Sequence, residues 1–147
     1  MKEIQILLVE DNEGDIVLTL EAFEDAYLKN SVAVVRDGEE AIQYLTKQGD
    51  YQNALVPDII LLDINLPKID GKEVLSYIKK HDKLKCIPVV MLTTSSSEKD
   101  ILESYDGYAN CYITKPMDFT KFIDVIRSIE SFWMTLVQLP KVENYAA

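Results

Sequence analysis

The chain has 147 residues, of which 48% are hydrophobic and 27% charged, and a formal net charge of −10 at pH 7. This length and composition predict one soluble globular domain with one substantial core, and they argue against disorder. The negative charge argues against direct binding of nucleic acid or of an anionic membrane surface, because both attract cations.

The first half of the chain alternates between short apolar runs and amphipathic stretches. Residues 4–9 predict strand one, which stops at the acidic segment Glu-Asp-Asn-Glu at 10–13, and Asn12 is placed to cap the following helix. A second strand is predicted at 31–35, and a second helix then ends near Gly49. The apolar stripes of these helices are Ile16, Leu20, Phe23 and Tyr27 in the first and Ala41, Ile42 and Leu45 in the second.

The middle of the chain contains the most informative strand. Residues 59–63 begin with four large aliphatic side chains in succession, which predicts a strand buried on both faces. The run ends in the carboxylate of Asp63. Considered by itself, Asp63 is open to a second interpretation as a turn or cap residue. A third helix after Gly71 carries Val74, Leu75 and Ile78.

The second half of the chain repeats the alternation. Strands four and five are predicted at 87–92 and 110–114. Between them, Ser95 and Glu98 have capping-box spacing for a fourth helix. A fifth helix is predicted from about residue 118 to beyond residue 133. The fourth helix carries Ile101, Leu102 and Tyr105.

Five strands that alternate with five helices predict an α/β fold in which a parallel sheet lies between two layers of helices. The carboxyl ends of parallel strands open on one edge of the sheet. Polar residues follow four of these strands: Glu10, Asp11, Asp63, Thr93 and Lys115. Clustered carboxylates repel one another unless a cation joins them, and oxygen ligands favour Mg²⁺. A plain structural salt bridge is the alternative for Lys115.

This set of residues suits phosphoryl transfer to a carboxylate. An aspartate can act as a nucleophile toward phosphorus, and the transferred group needs positioning and charge neutralisation. Asp63 would accept the phosphoryl group, Mg²⁺ and Lys115 would balance its charge, and Thr93 would donate a hydrogen bond to it. Neither a histidine nor a glycine-rich phosphate loop offers a competing catalytic set in the sequence.

Four motifs resemble those of the receiver domains of two-component response regulators. They are Leu-Val-Glu-Asp-Asn at 8–12, Leu-Leu-Asp-Ile-Asn-Leu-Pro-Lys-Ile-Asp-Gly at 61–71, Leu-Thr-Thr at 92–94 and Tyr-Ile-Thr-Lys-Pro at 112–116. Their order and spacing match that family over residues 3–130. The resemblance implies a flavodoxin-like three-layer sandwich with a five-stranded parallel sheet of order 2-1-3-4-5.

The resemblance also implies roles for single residues. Asp63 would accept phosphate from a sensor histidine kinase. It would hold Mg²⁺ together with Glu10, Asp11 and the main-chain carbonyl of Asn65.

Two further features follow from the same resemblance. Thr93 and Tyr112 would form the switch pair that reports phosphorylation. The peptide bond between Lys115 and Pro116 would be cis, a form whose cost is modest only before proline.

Within that family, the chain looks most like the small stand-alone regulators that partner bacterial phytochromes, through Glu-Ser-Phe-Trp at 130–133 and Leu-Pro at 139–140. We therefore expect a receiver domain at 1–134 and a C-terminal extension at 135–147. Such a protein is a phosphoacceptor and not an enzyme, beyond self-catalysed phosphotransfer and slow dephosphorylation.

Three other functions are compatible with parts of this pattern. A pseudo-receiver would keep the fold as a protein-binding module and never be phosphorylated. A phosphatase with an aspartate nucleophile would be expected to show Asp-x-Asp, but Asn65 stands at the second position. A flavodoxin would need a neutral phosphate loop where this chain has acids after strand one.

The fifth helix carries more apolar surface than one sheet can bury. At about 100° per residue, one stripe consists of Phe122, Ile126, Ile129 and Trp133. An adjoining stripe consists of Val125, Phe132 and Leu136. We expect a homodimer that uses this helix, strand five and residues 135–140. The alternative is that the tail folds back over its own domain.

Three features of the sequence predict a cytoplasmic protein. The amino terminus lacks the pattern of a signal peptide. No apolar run approaches the roughly 20 residues that a membrane-spanning helix needs. The two cysteines, Cys86 and Cys111, are interpreted as reduced thiols.

Overall fold

The computed structural model describes residues 3–26, 28–140 and 142. Strands and helices alternate along the chain as predicted. The strands are β1 (Ile4–Val9), β2 (Asn30–Val35), β3 (Ile59–Leu62), β4 (Val89–Thr93) and β5 (Cys111–Thr114). The α-helices are α1 (Glu13–Glu24), α2 (Gly38–Leu45), α3 (Gly71–Lys80), α4 (Glu98–Asp106) and α5 (Phe119–Ile129). A 3₁₀ turn at Gly49–Tyr51 and a π-helix at Glu130–Leu136 complete the set.

The five strands form one parallel sheet in the order β2-β1-β3-β4-β5. The predicted flavodoxin-like order is therefore confirmed. Because β1 and β3 are neighbours at the centre, with β4 and β5 on one side, the carboxyl ends of these four strands lie side by side. Within the described residues, none of the helices is long and apolar enough to cross a membrane.

Each face of the sheet is covered by an aliphatic layer. All four residues of β3 are fully buried, which confirms a strand covered on both faces. One layer includes Leu7, Val9, Ile60, Leu62, Val89 and Met91 with Ala41 and Leu45 of α2 and Val74, Leu75 and Ile78 of α3. The other includes Ile6, Leu8, Ile59, Leu61, Val90 and Leu92 with Ile16 and Phe23 of α1 and Phe122, Ile126 and Ile129 of α5.

The sequence predicts the N-terminal cap of α1 correctly but not that of α4. Asn12 caps α1 as expected, and its side chain accepts a hydrogen bond from the Asp15 amide at 2.9 Å. The predicted cap of α4, Ser95, is wrong. Ser97 caps this helix instead, because Glu98 is its first residue, and Ser95 Oγ donates to the carboxylate of Asp100 at 2.5 Å.

Two of the predicted apolar stripes are only partly buried. Leu20 lies at the exposed edge of α1, and Tyr27 lies outside the described residues. On α4, Leu102 and Tyr105 are exposed and Ser104 is the buried residue. This helix lies beside the last strands of the sheet, so less of its surface can be covered.

The end of α5 departs from α-helical periodicity. The π-helix bonds residues five apart, so Met134 follows Ile129 on the buried side and is only 7% exposed. Trp133, predicted to continue the buried stripe, is half-buried instead. Phe132 and Leu136 are 53% and 70% exposed.

The peptide bond before Pro116 also differs from the expectation. Among the described residues none follows a cis peptide bond, so the predicted cis form of Lys115–Pro116 is wrong for this structure. The trans form is the intrinsically favoured one even before proline.

Candidate functional site

The candidate site lies at the carboxyl ends of β1, β3, β4 and β5. The hydrogen-bond pattern of the sheet continues for one residue beyond the ends of β1, β3 and β5. These added hydrogen bonds fix the backbone positions of the site residues. The Asp63 amide donates to the Val9 carbonyl at 3.1 Å, and the Lys115 amide donates to the Thr93 carbonyl at 2.7 Å. The sheet therefore places Asp63 between the ends of β1 and β4.

Three carboxylates meet at this edge as the sequence predicted. Carboxylate oxygens of Glu10, Asp11 and Asp63 all lie within 4.8 Å of one another. Glu10 and Asp63 are buried, whereas Asp11 is exposed. An acidic cluster with one solvent-facing member fits a hard divalent cation, which binds oxygen ligands and keeps several waters. The residues present thus fit a divalent metal.

Glu10 is held by both the backbone and Lys115. Its Oε2 accepts hydrogen bonds from the amides of Asp11 at 3.0 Å and Asn12 at 3.1 Å, and its Oε1 accepts one from Lys115 Nζ. Burial raises the pKa of Glu10 to about 7, against the opposing effect of the Lys115 hydrogen bond, and the charge of Asp63 raises it further. Glu10 therefore exchanges its proton near neutral pH.

Lys115 is a buried cation surrounded by carboxylates. Its Nζ donates to Glu10, to Asp15 Oδ2 at 3.0 Å and to Asp63 Oδ2 at 3.1 Å. Burial disfavours the ammonium, but the Glu10 hydrogen bond and the charges of Asp63 and Glu10 outweigh it, so the pKa of Lys115 is raised. Lys115 is thus a buried positive charge beside Asp63 that pairs with three carboxylates; its role in phosphoryl transfer stays a prediction.

Asp15 is the residue of this group that sequence reasoning missed. It lies in the first turn of α1. An acidic side chain is favoured in the first turn of any helix, so its position gave no signal of a contact with Lys115. The structure places its carboxylate on Lys115.

Thr93 and Tyr112 meet at the loop between β4 and α4. Thr93 is fully buried, and its Oγ1 accepts a hydrogen bond from the Ser95 amide at 3.5 Å. The Tyr112 hydroxyl donates to the Ser95 carbonyl at 2.8 Å, and the Tyr112 amide donates to the Tyr105 hydroxyl at 3.2 Å. The two predicted switch residues are therefore joined through Ser95.

The loop that follows β3 is held by two close approaches to glycines. A Cβ on Gly71 would lie 2.0 Å from the Asp63 carbonyl oxygen, and one on Gly38 would lie 1.9 Å from the Ile69 carbonyl oxygen. Both positions therefore require glycine for space. In the same loop, the Asn65 amide donates to Asp63 Oδ1 at 3.2 Å, which places Asn65 next to the carboxylate. Its carbonyl as a metal ligand stays a prediction.

Two of the three predicted interface residues line one apolar groove. This groove has a volume of about 510 Å³ and lies between β5, α5 and the π-helix. Val125 and Phe132 line it, whereas Leu136 is exposed outside it. The other lining residues are Asn110, Cys111, Ile113, Asp124, Ser128, Ile129 and Trp133.

A family model and a curated relative both match this chain to response regulators. The model of the family described as "Response regulator receiver domain" matches residues 6–127. Response regulator Rcp1 of Synechocystis sp. is 45% identical over 135 residues, which are 92% of this chain and 92% of that protein.

Two solved structures share the fold over nearly their whole length. The Mn²⁺-bound form of Rcp1 has a TM-score of 0.91 and 44% identity, and the match covers 94% of this chain and 99% of that chain. The phosphorylated cyanobacterial phytochrome response regulator RcpA has a TM-score of 0.93 and 48% identity, and the match covers 95% of this chain and 100% of that chain. Together with the sheet order and the acidic cluster, these matches show that the chain belongs to the response regulator receiver domain family.

Proposed function

We propose that this protein is a phosphorylation-controlled signalling switch in which Asp63 accepts a phosphoryl group from a sensor histidine kinase. One observation carries the proposal: the Asp63 carboxylate lies in an acidic cluster that fits a divalent cation, 3.1 Å from Lys115. The similarity to RcpA, whose structure is that of a phosphorylated protein, supports it.

The chemistry is a displacement at phosphorus. A carboxylate oxygen of Asp63 forms the new O–P bond as the N–P bond to the kinase imidazole breaks, and the leaving imidazole takes up a proton. Mg²⁺, when bound by Glu10, Asp11 and Asp63 with the Asn65 carbonyl, would supply positive charge to the phosphoryl oxygens. Lys115 supplies a second positive charge, and the Thr93 hydroxyl donates to one of these oxygens.

We further infer a phytochrome-type sensor kinase as the partner and a cytoplasmic location. RcpA is described as a phytochrome response regulator and is 48% identical to this chain. The free thiols of Cys86 and Cys111 are consistent with a reducing compartment. In this role the protein catalyses its own phosphorylation and a slow dephosphorylation, and it has no other enzymatic activity.

The decisive experiment is intact mass spectrometry after incubation with Mg²⁺ and acetyl phosphate. We expect the wild-type chain to gain the mass of one phosphoryl group and Asp63→Asn to gain none. An unmodified wild type, tested beside a receiver domain known to react, would favour the pseudo-receiver alternative. Equal phosphorylation of Asp63→Asn would place the acceptor on another residue.

Phosphorylation is proposed to act on the loop between β4 and α4. A phosphoryl group on Asp63 would accept a hydrogen bond from the Thr93 hydroxyl and draw it inward, away from the Ser95 amide that donates to Thr93 Oγ1 at 3.5 Å. Because the Ser95 carbonyl also holds the Tyr112 hydroxyl, a displaced loop would shift Tyr112 and shift the population of loop positions.

We also propose that the protein forms a homodimer through the groove between β5, α5 and the π-helix. The exposed Phe132 and Leu136 and the half-buried Val125 and Trp133 support this proposal, because large exposed apolar patches commonly mark protein contacts. We retain residues 1–134 as the receiver domain and 135–147 as an extension that adds to this contact.

A further inference from the structure

Lys115 has three carboxylate partners, and these partners differ in their other roles. An ammonium has three donors and no acceptor, and here the Nζ of Lys115 donates to Glu10, Asp63 and Asp15. Glu10 and Asp63 also belong to the group of carboxylates that fits a cation, whereas Asp15 is not a member of that group among the described residues. Within the described part of the chain, the Asp15 carboxylate therefore contacts Lys115 without belonging to the group that fits a cation.

The first turn of α1 holds Asp15 in place. Its amide donates to the Asn12 side chain at 2.9 Å, and its carbonyl accepts a hydrogen bond from Thr19 Oγ1 at 2.6 Å. The side chain is 26% exposed, so it is partly screened from water. A carboxylate in the first helical turn is also favoured by the positive end of the helix dipole.

We propose that Asp15 is a positioning residue that holds the Lys115 ammonium at the place where it neutralises the phosphoryl group. This inference rests on the proposed phosphorylation of Asp63. A cation that must stabilise a developing charge acts best when its position is fixed in advance. Glu10 and Asp63 would also bind the metal ion, and Asp63 would carry the phosphoryl group. Asp15 is therefore the partner whose carboxylate oxygen stays available to Lys115.

The charge of Asp15 acts in the opposite sense to its positioning effect. A negative charge near the site repels an anionic phosphodonor, so its removal by itself should speed the reaction. Glu13 provides a matched control, because it lies in the same helical turn. Its side chain is 69% exposed and pairs with Arg36. Glu13→Gln removes the same charge from the same turn.

The test compares Asp15→Asn and Glu13→Gln with the wild type, all as full-length chains. The rate of phosphorylation by acetyl phosphate is measured against donor concentration, and Mg²⁺ affinity is measured by calorimetry. We expect Asp15→Asn to lower the maximal rate by about tenfold with Mg²⁺ affinity within about twofold of wild type. Glu13→Gln should react as fast as the wild type or faster, and Asp15→Glu should recover most of the lost rate.

Several outcomes would overturn the positioning role. If Asp15→Asn is phosphorylated as fast as the wild type or faster, Asp15 acts only by repelling the anionic phosphodonor and does not position Lys115. Equal slowing in Asp15→Asn and Glu13→Gln would mean that any negative charge in this turn affects the rate through long-range electrostatics, without a specific contact to Lys115. A parallel loss of Mg²⁺ affinity would make Asp15 part of the metal site.

A second measurement is independent of phosphorylation and keeps this inference separate from the proposed function. The side-chain ammonium signal of Lys115 is recorded by NMR without any phosphodonor. We expect it to be resolved in the wild type and in Glu13→Gln, and to be broadened by exchange in Asp15→Asn. An unchanged signal in Asp15→Asn refutes the positioning role even if Asp63 is never phosphorylated.

Discussion

Glu10 and Lys115 are both buried at the same edge of the sheet, yet burial has opposite outcomes for their charges. Burial raises the pKa of Glu10 to about 7, so this carboxylate is readily neutralised. Lys115 stays charged because the carboxylates around it outweigh the cost of burial. The site thus combines one permanent positive charge with one negative charge that depends on pH.

This difference predicts a pH dependence of Mg²⁺ binding. Below pH 7 Glu10 is mostly protonated and uncharged, so proton and metal compete, and affinity should rise as pH increases. For one group with a pKa of about 7, proton linkage gives about a tenfold gain in affinity between pH 6 and pH 8. Calorimetric titrations across this range measure it.

Glu10→Gln is the control for this prediction, because it removes the titrating group. It should bind Mg²⁺ more weakly than the wild type at pH 8 and show a much flatter pH dependence. A wild type whose affinity is constant from pH 6 to pH 8 would contradict the raised pKa of Glu10.

Most of the site could be predicted from sequence because of one property of parallel sheets. Glu10, Asp63, Thr93 and Lys115 each lie at the end of a strand, and strand ends of one parallel sheet converge. Asp15 is on a helix, and its contact with Lys115 depends on how α1 is rotated about its axis. That rotation is set by the packing of Ile16 and Phe23, so it requires the folded structure.

At the scale of elements, the loop between β4 and α4 is tied to α3, α4 and β5. The carboxylate of Asp100 accepts hydrogen bonds from Lys72 of α3 at 2.7 Å and from Ser95 at 2.5 Å. These hydrogen bonds, that of Lys72 first, lower the pKa of Asp100. Tyr112 of β5 holds the Ser95 carbonyl. Ser95 therefore links Thr93 to α4 and β5 directly, and to α3 through Asp100.

The proposed switch predicts the behaviour of Thr93→Ala. In this variant Asp63 should still be phosphorylated, but more slowly than in the wild type, since one donor to the phosphoryl group is lost. The loop should no longer respond, because the hydroxyl that would move toward the phosphoryl group and away from the Ser95 amide is missing. The measurement is the change in amide NMR shifts of Ser95 and Tyr112 on phosphorylation.

Thr94→Ala is the matched control, since Thr94 is the exposed neighbour of Thr93. It should keep the full response of both amides. If phosphorylated Thr93→Ala shows the wild-type shifts at Ser95 and Tyr112, the Thr93 hydroxyl does not transmit the signal.

Apolar periodicity in the sequence predicts some elements of this fold and not others. The aliphatic run of β3 was recognisable because four buried residues in a row allow few other structures. The π-helix was not, because apolar spacing is interpreted at about 100° per residue and the wider turn changes that angle. The buried Met134 replaces Trp133 on the inner face for this reason. Ser97 displaced Ser95 as a cap because Ser95 is engaged by Asp100.

At the scale of the whole molecule, the groove beside β5 is an apolar surface that the described residues leave uncovered. Ile129 forms its floor as part of the core, whereas Phe132 projects from the π-helix and is 53% exposed. A second copy could cover both Phe132 and Leu136. This arrangement supports an assembly in which the extension packs on a neighbouring molecule.

The homodimer proposal predicts the effect of Phe132→Glu. A charge placed in an apolar contact should weaken the dimer at least about tenfold. Sedimentation equilibrium of wild type and variant measures the dissociation constant. Leu55→Glu is the control, because Leu55 is also exposed but lies in the loop before β3 and does not line the groove.

We expect a wild-type dimer, a largely monomeric Phe132→Glu and an unaffected Leu55→Glu. A monomeric wild type, or equal dissociation constants for all three chains, would reject this surface as a dimer interface.

The crowding of charge around Lys115 has a consequence for the stability of the whole protein. Four carboxylates, those of Glu10, Asp11, Asp15 and Asp63, gather near one ammonium, and unfolding lets them separate. Lys115 offsets this repulsion for its three partners, Glu10, Asp15 and Asp63. The site is therefore subject to a stability–activity trade-off at Asp11, which is exposed and belongs to the acidic cluster. Its neutralisation would relieve repulsion without removing any of these three partners of Lys115, and would make the chain harder to unfold and less able to bind a metal ion.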